Sequence, residues 1–578
     1  MTIIGKPIHK YFIFLKICFA FSISLWLRDF YPAFGVYAPH DDLYFIEVAN
    51  SLSLGEWLGT YGQLTHAKGM FYPLFIVINQ TSGLPLKISE HILYLLASLL
   101  ASIFISRLIG YRWLLVPMFI MLAFNPFAWS IENARVVRES LYTSMSMILF
   151  VIVALYFRKP SGIFLGLAVG LLAAIYWLTR EEGVWLIPAL AVLLLPWISN
   201  EYKILKNETL PNQLIVRFKY SLLPLVSIAV PFVLVLMIVA TVNYAVYGVF
   251  RNNDFRSGTP FTEAYGALSR IQHNVWQRYV IFPFDARQRA YMVSPAAREL
   301  QSYFEGAPGQ SWSKASQHYP YPWGCAEKPN NCNHEILSGW FVWALRDAVE
   351  KAGHYSSAYA ADGYYEILAD EINDACENNA IPCHAPRNNM TPVWRNHYLA
   401  DSLSASWDVL KTLVLFPGNL NDIPDSRLTQ EHRIAFESVI NSRVSGYATF
   451  EGPTPGAISK QDVIRKSISE SIAKFYAIAS PSMFILALVG YLFLLVAWLK
   501  VREADISTYS IILLTALLAT ISSRVGLLGF LEATSIPSNN LLYLSPAIPF
   551  YLLFIAASLG LCIGTIRKMA SNRKRKPA

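Results

Sequence analysis

The feature that most restricts this chain is a series of long apolar stretches with few charges. Ten segments have this character: roughly 11–30, 88–107, 112–129, 139–157, 162–179, 183–199, 219–247, 478–500, 507–530 and 542–566. A helix of about twenty apolar residues crosses the ~30 Å core of a bilayer, and in that core every backbone polar group must bond within its own structure. The chain is therefore read as an all-α polytopic membrane protein with about ten spanning helices. Composition agrees, with 15% charged residues against about 25% in soluble domains. The net charge of +8 does not point to nucleic acid, because much of the basic excess lies in short loops that orient helices.

Charge also sets the topology. Lys6, Lys10 and Lys16 lie before and within the first apolar run, and no small-residue cleavage site follows it, so this end reads as an uncleaved signal anchor. With the N-terminus cytoplasmic, the basic loops fall on the cytoplasmic side: Arg107 to Arg112, Arg158-Lys159, the 200–218 segment, Lys500 to Arg502, and the tail with Lys568 and Arg573-Lys574-Arg575-Lys576. Counting 71–86 as a span would invert every later loop, so it is read as a half-buried helix on the outer side. Asp41, Asp42, Lys68, the turn from Glu132 to Glu139, Arg180-Glu181-Glu182 and the long 248–477 insertion then share the non-cytoplasmic face. Hairpin loops are polar in any such protein. Convergence of so many charges on one face nevertheless points to one site there.

The stretch from Ala38 to Pro73 carries the first of these charges. Asp41 and Asp42 stand at the end of the first span. Behind them Phe45, Val48, Ala49 and Leu52 recur at i, i+3, i+4, i+7, the face of a short helix closed by Gly55. Such a helix is expected to lie in the interfacial plane. A like-charged neighbour and partial burial are expected to raise the proton affinity of the acidic pair. Further on, Glu132, Arg135 and Glu139 share one face if their turn is helical, with Arg138 a quarter-turn away. They either neutralise one another or leave Arg135 or Arg138 to hold a phosphate, whose oxygens suit a guanidinium fork. Arg180, Glu181 and Glu182 fill a hairpin with almost no loop. Arg524 lies ~9 Å inside a span at 1.5 Å per residue. A charge at such depth costs roughly 2.5–3.5 kcal/mol and marks function by default. It is read as an anion ligand, with an acidic structural partner such as Glu532 as the alternative.

The 248–477 insertion switches to charged, Tyr- and Trp-rich sequence and is read as a mostly α-helical outer domain between a transmembrane module (1–247, with its first outer loop at 31–87) and the final spans (478–578). Residues 333–353 and 356–376 read as amphipathic helices separated by Gly353-His354. Four cysteines lie in the insertion, as the pairs Cys325/Cys332 and Cys376/Cys383, and read as two local disulfides in an oxidising compartment. Zinc competes, since His334 and His384 adjoin two of them, but the usual CxxC spacing is missing. Cys18 and Cys562 read as inert packing residues within spans. Trp340 and Trp343 share a helix face that either meets a sugar or peptide or joins the core.

These residues resemble the GT-C superfamily of integral-membrane glycosyltransferases, which use polyprenyl- or dolichyl-phosphate sugars and include the protein O-mannosyltransferases and the aminoarabinose transferases of lipid A. The resemblance spans about the first 200 residues. It rests on an acidic pair followed by an aromatic and a small residue in an interfacial helix: Asp41-Asp42, Phe45 and Ala49. Asp42 stands where Glu is common in the family. Lys68-Gly-Met-Phe-Tyr-Pro73 fits the family's lysine before a proline-marked helix, without the adjacent prolines. The resemblance implies an inverting transferase that moves a sugar from a polyprenyl-phosphate donor to a hydroxyl of a glycan, lipid or protein acceptor. Asp41 would be the catalytic base, with Asp42 orienting either the acceptor or Asp41. Lys68, Arg135, Arg138 and Arg524 would bind the donor phosphate, supported by Glu132, Glu139, Arg180, Glu181 and Glu182. No cofactor is expected; a divalent metal on the two carboxylates is the less favoured alternative. The expected setting is a bacterial inner membrane with the site facing the periplasm. A flippase of lipid-linked sugars, a polysaccharide polymerase or ligase, and a receptor or scaffold remain as competing functions. The absence of an internal repeat and the one-sided charges favour an enzyme over a transporter.

Overall fold

The protein is described here from a computed structural model, which places residues 5–36, 38–158, 162–207, 211–274, 277–317, 335–416, 420, 423–446, 460–500 and 506–575. Among these residues the chain is helical, with isolated β-bridges and no strand. Among the described residues, nine helices are long and apolar enough to cross a membrane: Tyr11–Asp29, Leu86–Leu108, Arg112–Trp129, Glu139–Arg158, Gly183–Lys203, Leu222–Tyr247, Lys460–Lys500, Thr508–Thr534 and Ile548–Ala570. The tenth expected span is the shorter helix Ile163–Thr179, of 17 residues. It reaches about 26 Å at 1.5 Å per residue, just under the apolar thickness. It packs along the Pro211–Tyr247 helix, and Gly170 permits the contact, since a Cβ there would lie 2.1 Å from the Ile228 carbonyl oxygen. Small residues bring membrane helices into backbone contact in this way.

The segment expected as a half-buried helix is the 12-residue helix Phe71–Ser82, too short to span, which buries Tyr72, Pro73, Ile76 and Asn79. It ends at Gly83, whose φ of +71° is the left-handed conformation that glycine adopts readily.

Among the described residues, the two largest of three groups of buried apolar side chains organise the molecule. The larger fills the helical bundle, with Phe104, Phe119, Tyr142, Phe150, Leu517 and Phe550 among its members, and it also takes in Val409, Leu413, Phe436 and Val439. The smaller is built from Phe261, Tyr265, Phe341, Tyr365, Leu368 and Ile372. The insertion thus has two kinds of packing. Its first part closes on its own core, whereas helix Tyr398–Leu415 lies along the span Thr508–Thr534. The 41-residue helix Lys460–Lys500 runs from the insertion into a span without a break.

The two amphipathic helices form as Ser338–Lys351 and Ala358–Glu377. Cys376 and Cys383 are joined in a disulfide with their Cα atoms 5.6 Å apart, which removes these two thiols from any zinc site. Cys325, Cys332 and His334 lie outside the described residues. Cys18 is exposed on the outside of the first helix, and Cys562 is half-buried.

Candidate active site

The helix Asp42–Ser53 begins directly after Asp41, which occupies its N-cap position. Its apolar stripe forms as the spacing implies, with Phe45, Val48 and Ala49 buried and Leu52 half-buried, and Gly55 closes it at φ +79°. It buries Leu43, Tyr44 and Ile46 as well. It is therefore enclosed on several sides, packing against helices Phe71–Ser82 and Gln430–Ile440, rather than floating on one face. This burial separates the two acids. The Asp42 side chain is fully covered, while that of Asp41 keeps 35% of its surface.

Two cations meet this pair. The Lys68 ammonium is ion-paired with Asp41 and sits over the rings of Phe45, at 5.0 Å, and Trp343, at 5.6 Å. The Arg135 guanidinium is 3.5 Å from Asp41 and donates both to Asp42 Oδ1 and, at 3.4 Å, to Asp42 Oδ2. The Val36 N–H donates to the same carboxylate at 3.3 Å. Gly69 fixes the path of the Lys68 loop: a Cβ there would stand 1.9 Å from the Leu178 carbonyl oxygen.

The turn carrying Arg135 is not one helix. Ser130 caps a single turn, Ile131–Ala134; Arg135 is extended at φ −64°, ψ 149°; and the helix restarts at Glu139. Backbone pairing of this turn with the loop after the first span, through Phe34 N–H to Ala134 O at 2.9 Å, pulls Arg135 toward Asp42. The ladder expected from helical spacing accordingly does not form. Glu132 is half-buried and outside the network.

The remaining charges pair with one another around the hairpin at Arg180. Arg138 is 3.0 Å from Glu181, which also accepts from the Gly69 N–H at 3.0 Å and from Asn253 at 2.9 Å. Arg180 pairs with Glu139 and, at 3.3 Å, with Glu182. Arg524 is fully buried, donating to Glu182 at 3.0 Å and twice to the Tyr543 carbonyl, at 2.6 and 2.9 Å. Its acidic partner is thus Glu182 from the tight hairpin. Glu532 instead accepts from Tyr279 and from the Ser538 and Asn539 N–H groups.

The electrostatics separate the two acids further. Burial pushes the Asp41 carboxyl up, but Lys68, His40 and Arg135 outweigh it and hold Asp41 well below the usual carboxylate range. For Asp42 burial prevails over Arg135, and its affinity for a proton is raised. The expectation that the pair shares a raised affinity is therefore corrected at Asp41, because its cations are closer than the argument from two adjacent acids allowed. Burial lowers the Lys68 ammonium despite Asp41. Glu182 falls to about 2: burial opposes ionisation, and Arg180, Arg524 and Arg138 overcome it.

One part of the site had only half a signal in the sequence. His40 stacks on Trp343 at 5.1 Å and meets Trp340 edge-on at 5.3 Å, and Trp312 joins them 5.9 Å from Trp340. The spacing of Trp340 and Trp343 marked a shared helix face, but nothing local linked that face to His40. Among the described residues no group of three His, Cys, Asp or Glu side chains is placed to hold a metal ion.

Fold and site together define an integral membrane protein with a charge network buried at Asp42, Arg180 and Arg524 and part-exposed at Asp41, Glu181 and Glu182. No family model and no curated protein matches the chain. Solved structures similar to it at a distance include two of ArnT from Cupriavidus metallidurans. The apo structure shares 12% identity at a TM-score of 0.28, covering 95% of this chain and 78% of its own. The structure bound to undecaprenyl phosphate shares 13% at 0.28, covering 90% and 77%.

Proposed function

We propose that the protein is an inverting glycosyltransferase that moves a sugar from a polyprenyl-phosphate donor to an acceptor hydroxyl on the extracytoplasmic side of the membrane. The observation that carries this reading is the contact of the part-exposed Asp41 carboxylate with the nearly buried Lys68 ammonium and the Arg135 guanidinium. A base and anion-binding cations are what such a transfer requires.

The acceptor O–H gives its proton to Asp41 as its oxygen forms a bond to the anomeric carbon. The bond from that carbon to the phosphate oxygen breaks, and its electron pair leaves on polyprenyl phosphate. Lys68, Arg135 and Arg138 receive the charge of that leaving group. Direct attack inverts the anomeric centre. The low proton affinity of Asp41 at rest follows from its cations. When the donor phosphate engages Lys68 and Arg135, their charge is shared and Asp41 becomes the stronger base it needs to be. Arg524 and Arg180 hold the Arg180-Glu181-Glu182 hairpin in place through Glu182, and that hairpin positions Arg138 through its ion pair with Glu181.

Incubating the purified protein in lipid vesicles with a panel of polyprenyl-phosphate sugars and acceptors tests this. Released polyprenyl phosphate together with an inverted product supports transfer. Movement of intact lipid-linked sugar across the vesicle without release supports the flippase instead and ends the transferase reading.

A further inference from the structure

Helix Ser338–Lys351 has two unlike sides. One side, with Phe341, Leu345 and Val349, enters the core of the outer domain. Trp340 and Trp343 lie only half-buried at the edge of that core, with Trp312 half-buried beside them. The ring of His40 is close to parallel with Trp343, at 27°, and close to perpendicular to Trp340, at 83°. The two indole planes therefore stand steeply to one another and form a corner rather than a flat stack. Trp312 is fixed by its indole N–H donating to the Tyr303 hydroxyl at 2.7 Å. The indole N–H groups of Trp340 and Trp343 make no hydrogen bond among the described residues. At the edge of this corner are Lys68, 5.6 Å from the Trp343 ring, and Asp41, next in sequence to His40.

We propose that Trp312, Trp340 and Trp343, closed at one end by His40, form a stacking wall for a pyranose ring whose hydroxyls meet Asp41 and Lys68. A pyranose has an apolar face of C–H groups and a polar rim. The corner offers the same division: for the C–H groups, the aromatic surface that His40, Lys68 and Phe255 (edge-on to Trp343 at 5.5 Å) leave exposed on the half-buried indoles, and beside it a carboxylate, an ammonium and unpaired indole N–H donors for the rim. Burial lowers the His40 imidazole to about 4, so at neutral pH it is uncharged and able to exchange hydrogen bonds with a hydroxyl. A wall of this kind selects for sugar in place of a bare hydroxyl-bearing side chain. The biological sense of the wall rests on the transferase reading, but the recognition itself stands on this geometry. The ring belongs either to the donor or to a glycan acceptor.

Saturation-transfer NMR on the full-length protein in nanodiscs reads this contact directly, by irradiating aromatic protons. One arm uses methyl glycosides of common hexoses as lipid-free acceptor mimics. The other compares a short-chain polyprenyl-phosphate hexose with the sugar-free polyprenyl phosphate. Signal on the C–H protons of one ring face is expected in at least one arm, and the arm that gives it identifies the source. W343A should weaken that binding about two- to tenfold, the worth of one aromatic contact, while W343F, which keeps a flat ring, retains most of it. No saturable sugar signal in either arm overturns the proposal, as does W343A binding like the wild type while remaining folded by thermal melt. Sugar signal on the wall without any transfer leaves the wall standing and removes the transferase reading. Transfer that is unchanged by W343A and W340A does the reverse.

Discussion

Replacing Lys68 by Met removes the ammonium while keeping a side chain long enough to lie against Phe45 and Trp343, which Lys68 covers at 5.0 and 5.6 Å. Two effects follow from the geometry. First, the leaving phosphate loses one preorganised cation, and the loss of one such group in a water-excluded site lowers turnover by about 10²–10³, equivalent to about 2.7–4 kcal/mol. Second, Asp41 loses the foremost of the charges that oppose its burial and keeps Arg135 at 3.5 Å. The sign follows directly. In the wild type Asp41 is held well below the carboxylate range, so its base form persists into acid and no acid limb from Asp41 appears near neutrality. In K68M its proton affinity rises, and the acid limb of kcat/KM moves to higher pH. Polyprenyl phosphate release, followed by mass spectrometry across the acid-to-neutral range, reads both effects in one experiment. A K68M variant with transfer within about threefold of wild type and an unmoved acid limb would rule out this role for Lys68.

Three other outcomes are expected. R524M strips two donors from the Tyr543 carbonyl and one partner from Glu182, which keeps Arg180 at 3.3 Å. Thermal or denaturant unfolding in detergent should show a loss of about 3 kcal/mol, near the low end for a broken buried pair. Glu182 falls from its ordinary value of 4.5 to about 2 in the folded protein. Its contribution to stability is therefore full above its unfolded value and lost as pH falls toward 2, and E182Q should flatten that part of the stability profile. Serine at both Cys376 and Cys383, which are seven residues apart, should destabilise the core built around Phe261, Phe341 and Leu368 by about 2–3 kcal/mol, read by limited proteolysis with and without reductant.

The membrane architecture was legible because a bilayer leaves so few solutions: apolar length and loop charge already separate spans from loops. The boundary case was Ile163–Thr179, where close packing at Gly170 against Pro211–Tyr247 let a helix be shorter than the usual span. The apolar stripe of Asp42–Ser53 was legible for the same periodic reason, although the number of its buried faces was not. Periodicity misled at Glu132, Arg135 and Glu139, where backbone pairing of Ala134 with Phe34 broke the helix and turned Arg135 to Asp42. Arg524 announced its need for a partner but not which one, since Glu182 lies 342 positions away and only folding brings it near. The wall at His40 was hidden likewise. Trp340 and Trp343 share a helix face whether they pack inward or meet a ligand, and a single sequence does not tell which loop that face meets.

Transfer as proposed needs Asp41 to accept the acceptor's proton, and Asp41→Asn tests that most directly, because it preserves shape and removes only the basic oxygen. Transfer from a polyprenyl-phosphate sugar should fall by about 10²–10⁴, while affinity for sugar-free polyprenyl phosphate holds or tightens as Lys68 is released from its ion pair. Turnover equal to the wild type in Asp41→Asn would contradict the account.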